Sequence, residues 1–163
     1  MQTFLPYADF LRSAQILDMK RLGKQRVETL QLLGALTGYR AEADSGGLTL
    51  TTNKTSAWYN HPATLMWSRH PHQLIFYGTA ICLEWRQRGY RDTCLEKINL
   101  FWNIVPVLTT KPAWLGNDRF HESHQSNLVR KNPTHYQFNV SPDLPYLWPT
   151  PVSDTSWKLR VIG

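Results

Sequence analysis

Apolar residues recur at helical spacing through most of the chain. Residues 8–22 carry one such stretch, and 24–37 continue it through Val27, Leu30, Leu32, Leu33 and Leu36. Gly23 lies between the two and predicts a kink or a weak point in one long helix. Gly38 is a stop signal. Over 39–57 the helical period is lost. Arg40-Ala41-Glu42-Ala43-Asp44 runs into Ser45-Gly46-Gly47 and a Thr-rich stretch, which predicts a long polar loop with a short extended piece at 48–52. A connection of that length points to a mobile or functional loop.

Order returns at Trp58-Tyr59-Asn60-His61-Pro62. Pro62 suits a first helical turn, so a short helix is expected over 62–68. Residues 72–88 predict a strong amphipathic helix through Leu74, Ile75, Tyr77, Ile81, Cys82 and Trp85, closed by Arg86-Gln87-Arg88-Gly89. Thr93-Cys94-Leu95-Glu96 reads as a capping box that opens a helix running through Trp102. Pro106 and Pro112 bracket a loop, and a last helix is expected over 120–132, stopped before Pro133. Over 141–163, Pro142, Pro145, Pro149 and Pro151 alternate with Leu144, Tyr146 and Trp148. That predicts an apolar C-terminal strap packed on the body. The pattern as a whole predicts a compact, all-α, single domain over 1–163.

Composition narrows the class. A length of 163 residues suits about one domain. No apolar run is long enough for a membrane span, and the N-terminus lacks a signal-peptide pattern. Cys82 and Cys94 suggest neither a disulfide framework nor a zinc site. An intracellular, cytoplasmic protein without a metal or other cofactor is expected. Lysine and arginine number 18 against 12 acids, for a net charge of +6. With seven tryptophans and seven tyrosines, that balance points to a phosphate-rich partner.

The most informative segment is Leu17-Asp18-Met19-Lys20-Arg21-Leu22-Gly23-Lys24-Gln25-Arg26-Val27-Glu28. On a helix, Ala14, Leu17, Leu32 and Leu36 share one stripe, and Asp18, Arg21, Gln25 and Glu28 interrupt it. Buried polar groups are costly unless paired, so this patch is either a site or a structural network in which the acids clamp Arg21. Lys20, Arg21, Lys24 and Arg26 put four bases within seven residues, a ridge suited to phosphates or simply to solvent. His121 and His124 share a helix face with Ser123, Ser126, Asn127, Arg130 and Lys131, which reads as a set of phosphate and sugar donors or as an exposed polar face. Two histidines alone do not make a zinc site. Trp58, Asn60 and His61 could stack on or read a displaced base, or belong to the core. Arg88 and Arg91 are spare phosphate contacts. Glycine-rich phosphate loops, nucleophile elbows and His-Glu-x-x-His are absent. The chemistry left is that of an amine (Lys20, Lys24 or the α-amino group of Met1) beside a carboxylate, as in glycosylase and lyase reactions through a Schiff base.

On those residues, together with Asn60-His61-Pro62, Glu84-Trp85-Arg86-Gln87-Arg88-Gly89-Tyr90-Arg91-Asp92-Thr93, Trp114-Leu115-Gly116 and His121-Glu122-Ser123-His124-Gln125-Ser126-Asn127-Leu128, the chain resembles a bacterial and phage branch of the pyrimidine-dimer DNA glycosylases, the endonuclease V-like family. The resemblance covers residues 1–148. It implies an all-helical domain that kinks double-stranded DNA. It also implies an N-terminal amine that attacks C1′ and a glutamate of the first long helix that assists, with β-elimination to follow. A gapless match places that glutamate at Gly23, leaving Glu28 and Asp18 as the candidate carboxylates. Gln2 is not small, so the free amine would be that of Met1. The resulting expectation is a monomeric DNA glycosylase, with or without AP-lyase activity, acting on a damaged or modified pyrimidine. Met1, Asp18, Arg21, Lys24, Gln25 and Glu28 would carry the chemistry. Lys20, Arg26, Asn60, His61, Arg88, Arg91, His121, His124, Asn127, Arg130 and Lys131 would hold DNA. The alternatives are a non-catalytic nucleic-acid binder of the same fold and a hydrolytic N-glycosidase on a modified nucleoside.

Overall fold

The first break in the helical pattern falls at Leu17–Asp18, not at Gly23. In the computed structural model, which describes residues 1–53, 56–107, 110–153 and 156–162, α1 spans Phe10–Ile16 and α2 spans Met19–Thr37. Asp18 makes the boundary. It is the N-cap of α2, and its carboxylate accepts the Arg21 backbone N–H at 3.0 Å. Gly23 sits inside α2 because a helix crosses it closely: a Cβ there would lie 3.1 Å from the Trp85 ring. Trp85 is pinned by the Arg91 carbonyl (2.9 Å), by the Tyr90 ring (4.4 Å between centroids) and by the Arg26 guanidinium stacked over it. Gly23→Ala is therefore expected to lose more from overpacking than it gains in helix propensity. The net destabilisation should be about 1 kcal/mol in urea unfolding; a gain in stability would mean the indole yields.

β1 (Tyr39–Asp44) and β2 (Gly47–Thr52) then form an antiparallel hairpin, with Asp44 opposite Gly47. After it come α3 (Pro62–Trp67), α4 (Pro71–Gln87) and α5 (Leu95–Leu100), which runs into a 3-10 turn at Phe101–Asn103. α6 covers Asp118–Lys131. The chain closes with a second antiparallel hairpin, β3 (Leu147–Pro151) and β4 (Trp157–Val161). Among the described residues the fold is thus six α-helices with two two-stranded sheets. It is mixed, which corrects the all-α expectation.

Both corrections have local causes. The 39–57 stretch holds two short runs separated by Ser45-Gly46, the spacing of a two-residue hairpin turn. The 147–151 part of the strap pairs despite Pro149 and Pro151, because each strand of a two-stranded ribbon keeps one edge that needs no N–H donor. The parts of these two segments at 54–55, 154–155 and 163, and of the Pro106–Pro112 loop at 108–109, lie outside the described residues. The capping box also differs from expectation. Asp92, not Thr93, accepts the Cys94 and Leu95 N–H groups, both at 3.0 Å, and Glu96 pairs with Arg86.

α2 packs on α4 and α5, α1 on α4, and β3 on α3 and α6. The first six residues run through this body without helix or strand, with Thr3, Phe4 and Leu5 buried. Among the described residues, no helix is long and apolar enough to cross a membrane.

Candidate active site

The thread of residues 1–6 is held almost atom by atom. Gln2 N–H donates to Glu28 Oε2 (3.0 Å) and Phe4 N–H to Gln25 Oε1 (3.1 Å). The Tyr77 hydroxyl contacts both the Phe4 carbonyl (3.0 Å) and Gln25 Oε1 (2.7 Å). Leu5 is gripped at both ends of its peptide units. Its N–H donates to His124 Nδ1 (3.1 Å), and its carbonyl accepts from His121 Nδ1 (2.8 Å). Gln125 holds the Pro6 carbonyl, and Trp67 holds Thr3 Oγ1. A chain start is usually frayed; here residues 2–6 are fixed by α2, α3, α4 and α6.

The polar stripe of α2 is what receives the thread. Gln25 is buried, and its amide nitrogen donates to Glu28 Oε2 at 2.8 Å. Oε2 therefore takes both hydrogen bonds, from Gln25 and from Gln2, and Oε1 takes none among the described residues. Gln2, Phe4, Lys20, Arg21, Lys24, Gln25, Glu28 and Lys131 line a cleft of about 220 Å³. Lys20, Lys24 and Lys131 are exposed around its mouth. Burial pushes the Lys131 ammonium below its ordinary value; Arg21, Arg130 and Lys24 push the same way, and Glu28 opposes them. The cleft thus combines one carboxylate, a ring of cations and the second residue of the chain.

Asp18 and Arg21 form a separate knot at the cleft edge. Arg21 Nη1 meets Asp18 Oδ2 at 2.6 Å, and the Tyr136 hydroxyl donates to the same oxygen at 2.7 Å. Burial alone would raise the Asp18 carboxyl, but hydrogen bonds from Tyr136 and Arg21 outweigh it and hold the group below the usual range. The clamp reading of the stripe is realised by Asp18 alone, and the two halves of the stripe have different partners. Glu28 and Gln25 face the cleft and thread, while Asp18 caps a helix and clamps Arg21.

The other candidates scatter. Arg26 is ion-paired to Asp92 at 2.6 Å. Arg88 binds Glu84 (2.8 Å) and the Gln15 carbonyl (3.0 Å), tying α4 to the end of α1. Arg130 donates to Ser126 Oγ (2.9 Å) and the Leu144 carbonyl (3.0 Å), holding the strap on α6. His121, His124 and Asn127 are buried. Asn60 and Arg91 are exposed, and His61 caps α3. Sequence reasoning missed Gln2, Tyr77, Tyr136 and Tyr146. Tyr146 Oη donates to the Gln2 side chain at 2.9 Å. Burial, then the Glu28 charge, raise the phenols of Tyr77 and Tyr146. A hydroxyl in the middle of an otherwise apolar α4 face was the available signal for Tyr77. Tyr146, inside an apolar strap, carried none. Among the described residues, no three His, Cys, Asp or Glu side chains gather as a metal site would require.

The cleft thus sets one carboxylate, bonded to the Gln2 peptide, under a rim of cations. A family model described as pyrimidine dimer DNA glycosylase matches residues 1–97, and the chain belongs to that family. The match takes in the thread, α2 with Gln25 and Glu28, and α4 with Tyr77; α6 and Lys131 lie beyond it. No curated protein and no solved structure matches the chain.

Proposed function

We propose that the chain removes a damaged or modified pyrimidine from double-stranded DNA, using an amine nucleophile assisted by Glu28, and then nicks the strand as a lyase. The observation that carries this reading is the 3.0 Å bond from Gln2 N–H to Glu28, which puts the carboxylate one residue from the Met1 amine. In the first step the amine nitrogen bonds to C1′, the C1′–N1 bond breaks, and its electron pair leaves with the base, which takes a proton. Glu28 receives the proton the amine gives up. The C1′–O4′ bond then opens to a Schiff base as Glu28 passes the proton it holds to O4′, which leaves the carboxylate free again. Loss of a C2′ proton to Glu28 expels the 3′ phosphate oxygen. Lys20, Lys24 and Lys131 hold phosphates at the rim, and Arg21, locked by Asp18, adds fixed positive charge.

Borohydride trapping on ultraviolet-irradiated and abasic duplexes tests the reading, with mass spectrometry of the adduct. A DNA adduct on Met1 is expected, retained in Lys24→Gln. An adduct on Lys24, one turn before Glu28, transfers the nucleophile to that lysine. Base release without an adduct replaces the amine with water and makes the protein a hydrolytic N-glycosidase. Neither adduct nor release overturns the reading in favour of a DNA binder.

A further inference from the structure

His61 caps α3 through one ring nitrogen. Its backbone N–H donates to the Trp58 carbonyl (3.0 Å), and its own carbonyl accepts from Thr64 and Leu65 (2.9 and 3.0 Å). Its Nδ1 accepts the Ala63 N–H at 3.1 Å, so Nδ1 carries no proton and the neutral ring must carry its proton on Nε2. Nε2–H has no hydrogen-bond partner among the described residues. The ring stands edge-on between Trp58 (5.2 Å between centroids) and Trp148 (6.3 Å). Trp148 in turn meets Tyr146 at 5.4 Å, whose hydroxyl holds Gln2. Two aromatic contacts and then the Tyr146–Gln2 and Gln2–Glu28 hydrogen bonds link His61 in series to the start of the chain and to Glu28. Burial, and then the positive charge of the chain's N-terminus, push the imidazole below its ordinary value, which favours the neutral ring.

We propose that His61 is a substrate-contacting residue of the glycosylase site, its Nε2–H donating to a ring carbonyl oxygen of the pyrimidine that leaves. This rests on the glycosylase reading of the Glu28 cleft. Phosphates are served by the cations of the rim. A neutral donor framed by two indoles suits instead a flat, uncharged acceptor. As the C1′–N1 bond breaks, its electron pair spreads onto the carbonyl oxygen next to N1. A donor fixed in advance stabilises that charge without giving up its proton. The cap supplies the fixing, since protonation of Nδ1 would set two N–H groups against each other at Ala63.

The test separates cap from donor. His61→Asn offers an amide oxygen where Nδ1 accepts, but no donor where Nε2–H stood. It is expected to melt like wild type and to bind duplex within about twofold, while releasing base about 10²-fold more slowly in single turnover. On a preformed abasic duplex, where no base leaves, borohydride trapping should proceed at the wild-type rate. His61→Gln sets an amide donor near Nε2 at the expense of the cap, and should melt lower yet release base at least about tenfold faster than His61→Asn. Wild-type base release by His61→Asn, or equal slowing of abasic trapping, overturns the proposal. Wild-type protein that releases no base overturns the glycosylase reading and this proposal with it.

Discussion

Glu28→Gln is expected to slow base release by about 10²–10⁴-fold in single turnover, with duplex affinity unchanged or slightly raised. The substitution is close to isosteric, and the hydrogen bonds favour its being structurally silent. Both donors, Gln2 N–H and Gln25 Nε2, reach the same carboxylate oxygen. A glutamine amide oxygen can take both and leave its NH₂ where Oε1 stood. Gln25 cannot turn to meet a different partner, because its own oxygen is fixed by Phe4 N–H and the Tyr77 hydroxyl. The change therefore removes charge and basicity and leaves the thread in place. It also removes the one acid from a cleft whose rim is Lys20, Lys24 and Lys131, so phosphate binding does not suffer. Near-wild-type turnover would move the chemistry off Glu28. Asp18 is poorly placed to inherit it: its oxygens already receive the Arg21 N–H, the Arg21 guanidinium and the Tyr136 hydroxyl.

The helices of this protein were legible because their apolar period is strong, as in α4 through Leu74, Tyr77 and Ile81. The four polar interruptions of α2 were equally visible, since a stripe that holds Leu17 and Leu32 has no reason to carry Gln25 and Glu28 without partners. What the pattern could not supply was the partner. Gln25 and Glu28 are answered by the backbone of residues 2–4, and backbone N–H groups leave no trace in a sequence. The same blindness turned His121 and His124 into surface donors. Their helical face reads as polar, yet it is buried because Leu5, Gly116 and Leu147 present backbone groups to it. Arg26, Arg88 and Arg130 read as phosphate contacts because a basic side chain looks the same whether solvent, a carboxylate or a backbone carbonyl awaits it. Asp92 and Glu84 are distant in sequence or on another turn, and pairing with them is settled only by packing. The hairpins were missed for another reason: two-stranded ribbons are short, and their turn signal at Ser45-Gly46 resembles that of any polar loop.

His124→Ala is expected to lower stability by about 3–5 kcal/mol, a large share of what a domain of this size possesses. His124 is fully buried and bridges two backbone groups. Nδ1 accepts the Leu5 N–H at 3.1 Å, and Nε2–H donates to the Leu147 carbonyl at 3.2 Å. Alanine leaves both groups buried and unpaired, with a cavity against Phe120 and Tyr146, whose rings lie 4.4 and 4.9 Å from the imidazole. The same bridge sets a pH dependence. Burial, with repulsion from His121 added, pushes His124 down to about 3, against 6.5 for a free histidine. Below pH 6.5 the unfolded chain takes up a proton that the native chain refuses. The stabilisation is therefore complete above pH 6.5 and declines as pH falls toward 3, by about 1.4 kcal/mol per unit for this residue. His121, His70 and His72, all lowered first by burial, add to the same slope. The lowered carboxylates Asp18 and Asp92 act only near and below their ordinary value of 3.8, so the decline between pH 6.5 and 5 belongs to the histidines. Urea unfolding at pH 7, 6 and 5 should show it, and His124→Gln should remove about one proton's share of the slope. An unchanged slope in that variant would mean that His124 accepts its proton in the folded state. Because His124 grips Leu5 and the same thread carries Gln2 to Glu28, the acid that loosens this bridge should also release Gln2 from the carboxylate. Base release by the wild-type protein should then fall at acid pH values where the rest of the protein is still folded, and His124→Gln should lessen that fall.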